Sequence, residues 1–203
     1  MTLYAIKPAF QNLLRPACRA LAKAGVTANQ VTITAMLLSL ATGGTLVILY
    51  ETPWVLLLVP ATLLVRMALN AIDGMLAREH DMQSPLGGLL NELGDVVSDI
   101  ALYAPFGLIA GVSPVAVNVA VVLAVLSEMT GVVAVQIGAS RRYDGPMGKS
   151  DRALAFGLLA VLLGFGLDAG AWANIFVAIV ALLIAITIFN RARAALDERK
   201  QPG

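Results

Sequence analysis

The chain has 203 residues, of which 59% are hydrophobic and 13% are charged, and its mean hydropathy is +0.82. This composition leaves too little polar surface to coat a water-soluble globule, so it predicts a membrane protein. One cysteine, Cys18, excludes an internal disulfide and a cysteine-based metal cluster, and the single histidine, His80, argues against histidine-rich metal chemistry. Any metal site in this chain would therefore use oxygen ligands.

The first 29 residues predict an interfacial amphipathic helix that precedes the membrane domain. Apolar residues such as Phe10, Leu14 and Leu21 recur at helical steps, which leaves the basic residues between them available to face lipid headgroups. Thr27 and Gln30 then match a capping box, which places the start of the first membrane helix just after them.

Six apolar runs, separated by short polar joints, predict six transmembrane helices in a catalytic domain over residues 30–190. The runs are 30–50, 54–77, 86–109, 114–137, 153–168 and 171–190. The second, third and fourth runs contain ionisable residues, which are costly in hydrocarbon, so we expect function to reside there. The expected fold class is all-α and polytopic, followed by a cytoplasmic tail over residues 191–203.

The basic residues predict the orientation of the chain in the membrane. Thirteen of the fourteen lie in the N-terminal segment, after the second and fourth spans, or in the tail, and Arg66 is the exception. The opposite joints contain only Glu51 and Asp168. By the positive-inside rule, both termini and the joints after the second and fourth spans face the cytoplasm.

Polar and small residues form one stripe on each of two consecutive spans. On the second span the stripe occupies positions i, i+3, i+4 and i+7, namely Asn70, Asp73, Gly74 and Ala77. On the third span it consists of Gly87, Asn91, Gly94, Asp95 and Ser98. A short connection makes the two helices antiparallel neighbours, and Asn and Asp oxygens suit Mg²⁺ or Mn²⁺. The stripes predict a shallow metal pocket that opens to the cytoplasm, and the competing interpretation is a helix-packing surface of small residues.

The same segment resembles the signature of the CDP-alcohol phosphotransferase family, D-x2-D-G-x2-A-R-x8-G-x3-D-x3-D. The matching positions are Asp73, Gly74, Ala77, Arg78, Gly87 and Asp95. Asn29 and Thr32 are similar to the family's Pro-Asn-x-x-Thr segment, with Ala28 in place of the proline. The first and third aspartates of the signature are Asn70 and Asn91 in this chain.

The resemblance implies two divalent ions, Mg²⁺ or Mn²⁺, held at the four signature positions with a CDP diphosphate between them. Carried over, the metal ligands would be Asn70, Asp73, Asn91 and Asp95, with Asp95 also acting as the base. The CDP contacts would be Asn70, Asp73, Gly74, Ala77, Arg78 and Gly87. Two amides in place of two carboxylates lower the negative charge, so we expect weaker metal binding.

Two further residues of the middle spans have candidate roles. Asp99 is a possible supporting ligand, and an alternative register would pair Asp95 with Asp99. Arg66 lies one turn before Asn70 on the same face, where it could pair with a buried acid or a lipid phosphate. An ion pair with Glu128 or Asp99 is the structural alternative.

The joint after the fourth span is basic and could bind a phosphorylated acceptor through Arg141, Lys149 and Arg152, although the positive-inside rule alone also explains these charges. The expected activity is transfer of a phosphatidyl group from CDP-diacylglycerol to a small alcohol, such as glycerol 3-phosphate or inositol phosphate, with release of CMP. We expect a homodimer in a bacterial inner membrane, in contact with lipid and with no nucleic-acid partner. The alternatives are a catalytically silent relative that binds lipid or a partner protein and, less favoured, a transporter.

Overall fold

The computed structural model describes residues 3–200, with side chains from residue 9 onward, and this part of the chain is helical without a strand. The all-α prediction is therefore confirmed. The α-helices are α1 (Leu3–Lys23), α2 (Ala28–Ile48), α3 (Leu58–Glu79), α4 (Pro85–Tyr103), α5 (Pro114–Gln136), α6 (Lys149–Gly164) and α7 (Ala171–Lys200). Two 3₁₀ segments, Pro53–Leu57 and Ala104–Leu108, precede α3 and follow α4. The predicted segments 1–29 and 191–203 include residues 1–2 and 201–203, which lie outside the described part.

The described residues pack as two compact units. The first unit contains residues 3–41 and 61–98, and the second contains residues 42–60 and 99–200. The first unit therefore holds both predicted polar stripes, and the second holds the basic joint between α5 and α6.

The core of the first unit joins α1 to α2 and α3. Its buried side chains include Cys18 of α1 and Leu76 of α3, and Leu14 and Leu21 pack against them. Part of the apolar face of α1 is thus covered by protein. Burial raises the pKa of the Cys18 thiol, because removal from water disfavours the thiolate.

The turn between α1 and α2 is defined by two hydrogen-bonded caps. Gly25 adopts a left-handed conformation, with φ of 77°, and donates to the carbonyl of Ala22, an arrangement that ends a helix. At the start of α2 the backbone N–H of Thr27 donates to Gln30 Oε1 at 2.9 Å. The N–H of Gln30 donates to Thr27 Oγ1 at 3.3 Å. The predicted capping box is confirmed, and it fixes the end of α2 that carries Asn29 and Thr32.

Aromatic stacking and close helix contacts hold the second unit together. Tyr103 stacks on Phe156 with ring centroids 4.2 Å apart, which joins α4 to α6. A Cβ on Gly164 would lie 2.7 Å from Leu57 Cδ2, so the absence of a side chain lets α6 approach the first 3₁₀ segment. Helix α7 packs along α5.

Four helical segments are long and apolar enough to cross a membrane: Ala28–Ile48, Pro53–Glu79, Pro114–Gln136 and Ala171–Lys200. The third and fifth predicted spans correspond to α4 and α6, and these two helices are not among the four. Helix α4 carries Glu92, Asp95 and Asp99, and it gives way to a 3₁₀ segment where Pro105 cannot donate a helical hydrogen bond. Helix α6 has 16 residues. The described residues therefore contain four candidate spans, and the count of six stays a prediction.

Candidate active site

A cavity of about 370 Å³ opens between the ends of α2, α3 and α4 in the first unit. Its lining consists of Ala28, Asn29, Thr32, Asp73, Gly74, Ala77, Arg78, Met82, Gln83, Ser84, Gly87, Gly88 and Asn91. Five of the six residues predicted to contact CDP are therefore on one surface, Asn70 being the exception. The helical spacing explains this arrangement, because Asp73, Gly74 and Ala77 of the α3 stripe and Gly87 and Asn91 of the α4 stripe face the same space.

One part of the cavity lining is fixed by the first turn of α4. Ser84 precedes Pro85 and caps the helix, because the backbone N–H of Gly87 donates to Ser84 Oγ at 3.0 Å. Asn29 Nδ2 of α2 donates to the same Oγ at 3.4 Å. A Cβ on Gly87 would lie 2.8 Å from Asn29 Oδ1, so glycine is needed for this close approach.

Asp73 lies against the wall of this cavity and is largely buried, with 6% of its surface exposed. The Thr32 hydroxyl donates to Asp73 Oδ2 at 2.8 Å, and the same hydroxyl lies 3.1 Å from the carbonyl oxygen of Ala28. This hydrogen bond fixes the rotamer of the carboxylate. Asp73 therefore presents an oriented carboxylate next to the cavity.

Arg78 supplies positive charge on the same surface. Its guanidinium extends over Gly74, since a Cβ on Gly74 would lie 2.8 Å from Arg78 Nη2. A guanidinium next to an oxygen-lined cavity favours a phosphate or diphosphate ligand, which it can bind through two N–H groups.

Asp95, the predicted base, interacts with Arg66. Arg66 Nη2 donates to Asp95 Oδ1 at 3.2 Å and to the Asp95 carbonyl oxygen at 3.1 Å. Asn70 Nδ2 lies 3.4 Å from the same Oδ1. The Arg66 side chain is 4% exposed to solvent and that of Asp95 is 22% exposed, so the arginine is the more buried partner of this ion pair.

The oxygen donors of the first unit fit a divalent ion at Asp73 and Asn91. Both side chains line the cavity, and hard oxygen ligands completed by water and phosphate are typical of Mg²⁺ and Mn²⁺ sites. Asn70 and Asp95, the other two predicted ligands, are not among its lining residues. Across residues 3–200 no group of three His, Cys, Asp or Glu side chains is arranged to hold a metal. A bound ion would therefore rely on amides, water and substrate oxygens as well as carboxylate.

The second unit contains a buried cluster of arginines around Glu128. Arg152 Nη2 contacts Glu128 Oε1 at 2.9 Å and Asp99 Oδ2 at 3.0 Å, and the Arg152 side chain is fully buried. Arg141 Nη2 lies 3.1 Å from Glu128 Oε2, and Arg191 Nη1 lies 3.3 Å from Oε1. Among the contacts that the structure describes, three guanidiniums thus share two carboxylates.

Arg142 of the α5–α6 joint contacts one acidic residue of the same joint and one of α7. Arg142 bridges Asp144 at 2.8 Å and Glu198 at 2.6 Å. The hydrogen bond from Arg142 holds the pKa of Asp144 below its ordinary value. Lys149, a predicted acceptor contact, begins α6.

Sequence reasoning missed Ser84 and Arg191 as candidate site residues. The Ser84-Pro85 pair is an N-cap followed by a proline at the first helical position, and this signal could have located this part of the cavity lining. Arg191 follows a long apolar run and was assigned only to the basic tail. Its contact with Glu128 depends on the packing of α7 along α5, which a single sequence does not specify.

Comparisons with known proteins extend these observations. The CDP-alcohol phosphatidyltransferase family model matches residues 25–189. Inner membrane protein YnbA of Escherichia coli strain K12 is 47% identical over 196 residues, which cover 97% of each chain.

Solved structures of phosphatidylinositol phosphate synthase PgsA1 from Mycobacterium tuberculosis share the fold. The structure with CDP-DAG bound has a TM-score of 0.75 at 20% identity and covers 91% of this chain and 94% of its own. The structure in complex with manganese and citrate has a TM-score of 0.76 at 21% identity and covers 91% of this chain and 90% of its own.

Proposed function

This chain belongs to the CDP-alcohol phosphatidyltransferase family, and we propose that it transfers a phosphatidyl group from CDP-diacylglycerol to a small phosphorylated alcohol. The observation that carries the proposal is the cavity of the first unit, in which Asp73, Asn91, Arg78 and two close-packed glycines line one surface. The enzyme class is a transferase of phospholipid biosynthesis in a bacterial inner membrane. The substrates, the site residues and the orientation are parts of the proposal.

The cavity is suited to the cytidine diphosphate end of the donor. Arg78 would bind diphosphate oxygens, and Gly74 and Gly87 would allow the nucleotide to approach the helix backbones. Ala77 adds a small side chain to the same lining. The likeness in fold to a synthase solved with CDP-DAG bound supports this choice of donor.

The reaction requires one bond to form and one to break at the phosphorus that carries the lipid. The acceptor hydroxyl oxygen bonds to that phosphorus, the bond to the bridging diphosphate oxygen breaks, and CMP leaves. Asp95 would take the hydroxyl proton, and Arg66 would hold its carboxylate in place. A divalent ion at Asp73 and Asn91, Mg²⁺ or Mn²⁺, would supply neutralisation of phosphoryl charge.

The arginine cluster supports a phosphorylated acceptor such as glycerol 3-phosphate or inositol phosphate. Arg141, Arg152 and Arg191 lie together around Glu128, and a cluster of guanidiniums favours an anionic ligand. We assign the acceptor phosphate to Arg141, whose side chain is 18% exposed, with Lys149 at the start of α6 as a second contact. Arg152 is fully buried, and its role is to hold the cluster together through Glu128 and Asp99. Asp99 then serves to orient Arg152 rather than to bind a metal.

The architecture that accompanies this function has an interfacial helix within 1–29, six spans over 30–190 and a cytoplasmic tail at 191–203. Both termini and the cavity would face the cytoplasm, where CDP-linked donor and polar acceptor are available. A homodimer is part of the same proposal.

A catalytically silent relative is the second candidate, because Asn70 and Asn91 stand where the family signature has aspartates. In that case the cavity would bind a nucleotide-linked lipid without turnover.

The test is CMP release by the purified full-length chain from CDP-diacylglycerol with Mg²⁺ or Mn²⁺. The acceptors are glycerol 3-phosphate, inositol phosphate, inositol, serine and none. Release with one phosphorylated acceptor, lost in Asp95→Asn and kept in the matched tail variant Asp197→Asn, supports the transferase. No release from folded protein with any of these acceptors, while CDP-diacylglycerol still binds, favours the silent relative.

A further inference from the structure

The joint between α5 and α6, residues 137–148, contains no helix or strand, and contacts with α7 determine where it lies. Near its start, the backbone N–H and the hydroxyl of Ser140 both donate to Glu198, at 2.9 and 2.8 Å. Near its end, the backbone N–H of Met147 donates to Thr187 Oγ1 at 2.9 Å. Thr187 and Glu198 are about three helical turns apart, so they share one face of α7. The joint is therefore attached to that face at both of its ends.

Thr187 is the fully buried attachment point of the two. Its hydroxyl donates to the carbonyl oxygen of Leu183 at 2.9 Å, which uses its one proton and leaves a lone pair for the Met147 N–H. A Cβ on Gly145 would lie 2.6 Å from Thr187 Cα, so the backbone of the joint lies directly against α7. Gly145 also has φ of 119°, a conformation that favours glycine.

Met147 links this attachment to the start of α6. Its carbonyl oxygen accepts from Arg152 Nη1 at 3.4 Å, so α7 holds the N–H of this residue and α6 holds its C=O. The carbonyl oxygen of the next residue, Gly148, accepts from the backbone N–H of Arg152 at 3.0 Å, and Lys149 follows as the first residue of the helix. The position of Lys149 therefore depends on the contact between Met147 and Thr187.

We propose that Thr187 is a positioning residue of the acceptor site, which sets the affinity for the acceptor phosphate by holding the joint against α7. The inference rests on the proposed function, in which Arg141 of the joint and Lys149 bind that phosphate. Because Thr187 is fully buried, it acts through the joint and not by contact with the acceptor. Without its hydroxyl, the buried N–H of Met147 would lose its acceptor, and the end of the joint would move to recover a hydrogen bond.

The experiment measures kcat and both KM values from CMP release by the purified full-length chain, with CDP-diacylglycerol and either glycerol 3-phosphate or inositol phosphate. Thr187→Val, which keeps the shape of the side chain, should raise the KM for the acceptor about tenfold and leave the KM for CDP-diacylglycerol unchanged. Thr187→Ser keeps the hydroxyl and should keep the acceptor KM of the unmodified chain. The matched control is Thr130→Val on α5, which loses a hydrogen bond to the carbonyl of Leu126 in its own helix and should change neither KM.

A second pair of variants tests the same contact from the side of the joint. Gly145→Ala should also raise the KM for the acceptor, because the new Cβ would lie 2.6 Å from Thr187 Cα. Gly166→Ala is its control: Gly166 also has a positive φ, 89°, but a Cβ there meets open space, so the acceptor KM should not change. If Thr187→Val does not elute as a monodisperse species, this pair decides.

An acceptor KM that neither Thr187→Val nor Gly145→Ala raises would overturn the inference. An equal rise in the KM for CDP-diacylglycerol, or a rise that Thr187→Ser shares, would also overturn it, because the effect would not then be specific to the hydroxyl and the acceptor.

A failure of the proposed function gives a different result. If the unmodified chain releases no CMP, the same variants are compared by isothermal titration calorimetry with glycerol 3-phosphate and with inositol phosphate, which needs no turnover. Binding that Thr187→Val weakens about tenfold and Thr187→Ser preserves would support the role of Thr187 in a chain that is not a transferase. Binding that is absent, or equal in all variants, would overturn that role.

Discussion

The Glu128→Gln substitution should strongly destabilise the second unit, because it removes the charge that Arg141, Arg152 and Arg191 share. These contacts are 2.9 to 3.3 Å long, and two of the three arginine side chains are almost completely buried. With the carboxylate gone, Asp99 is the remaining anion that contacts Arg152 in this cluster. Removal of one partner of a buried ion pair costs about 3–5 kcal/mol, since the other charge is left uncompensated.

A loss of this size corresponds to a decrease in Tm of about 10 °C for a chain of roughly 200 residues. The measurement is the thermal unfolding midpoint of detergent-solubilised protein, read from the monodisperse fraction that survives heating. The matched control is Glu79→Gln, which makes the same chemical change at the Arg15–Glu79 pair. That pair is shorter, at 2.7 Å, but both side chains are about 40% exposed. It should lower stability by less than about 1 kcal/mol.

The comparison separates burial from distance as the source of the stabilisation. If Glu79→Gln lowers the Tm as much as Glu128→Gln, the shorter contact matters more than the buried one, and the reasoning is wrong. An unchanged Tm in Glu128→Gln would likewise refute the reasoning, because it would mean that the three arginines do not need the carboxylate.

Glycerol 3-phosphate should raise the Tm of the unmodified chain if the same arginines bind the acceptor phosphate.

Three further outcomes are expected at the cavity. Gly87→Ala should raise KM for the CDP-linked donor about tenfold, because the new Cβ would lie only 2.8 Å from Asn29 Oδ1. Gly88→Ala is the control and should leave KM unchanged, because a Cβ at that position meets open space. Thr32→Val should lower kcat severalfold by removing the hydroxyl that orients Asp73, while Thr34→Val, which loses only a bond to its own helix, should leave kcat unchanged. Chelation by EDTA should abolish CMP release, and added Mn²⁺ should restore it; release that persists without metal would contradict the assigned role of the ion.

The sequence predicted features of the site that lie within one helix more completely than contacts between different helices. The Thr27–Gln30 capping box and the shared face of Asp73 and Gly74 depend on spacing along one helix, so they could be inferred from the chain alone. The capping box is present in the structure, and the stripe of α3 lines the cavity through Asp73, Gly74 and Ala77. Signals carried by neighbouring residues were therefore sufficient there.

Contacts between residues far apart in the sequence could not be predicted in the same way. Several partners were possible for Arg66 in the sequence, because one helix face meets whatever packs on it, and the structure shows a contact with Asp95. Arg152 was expected to be available to an acceptor, yet it is fully buried between Asp99 and Glu128. A basic residue in a joint looks the same in sequence whether it faces solvent or an interior carboxylate.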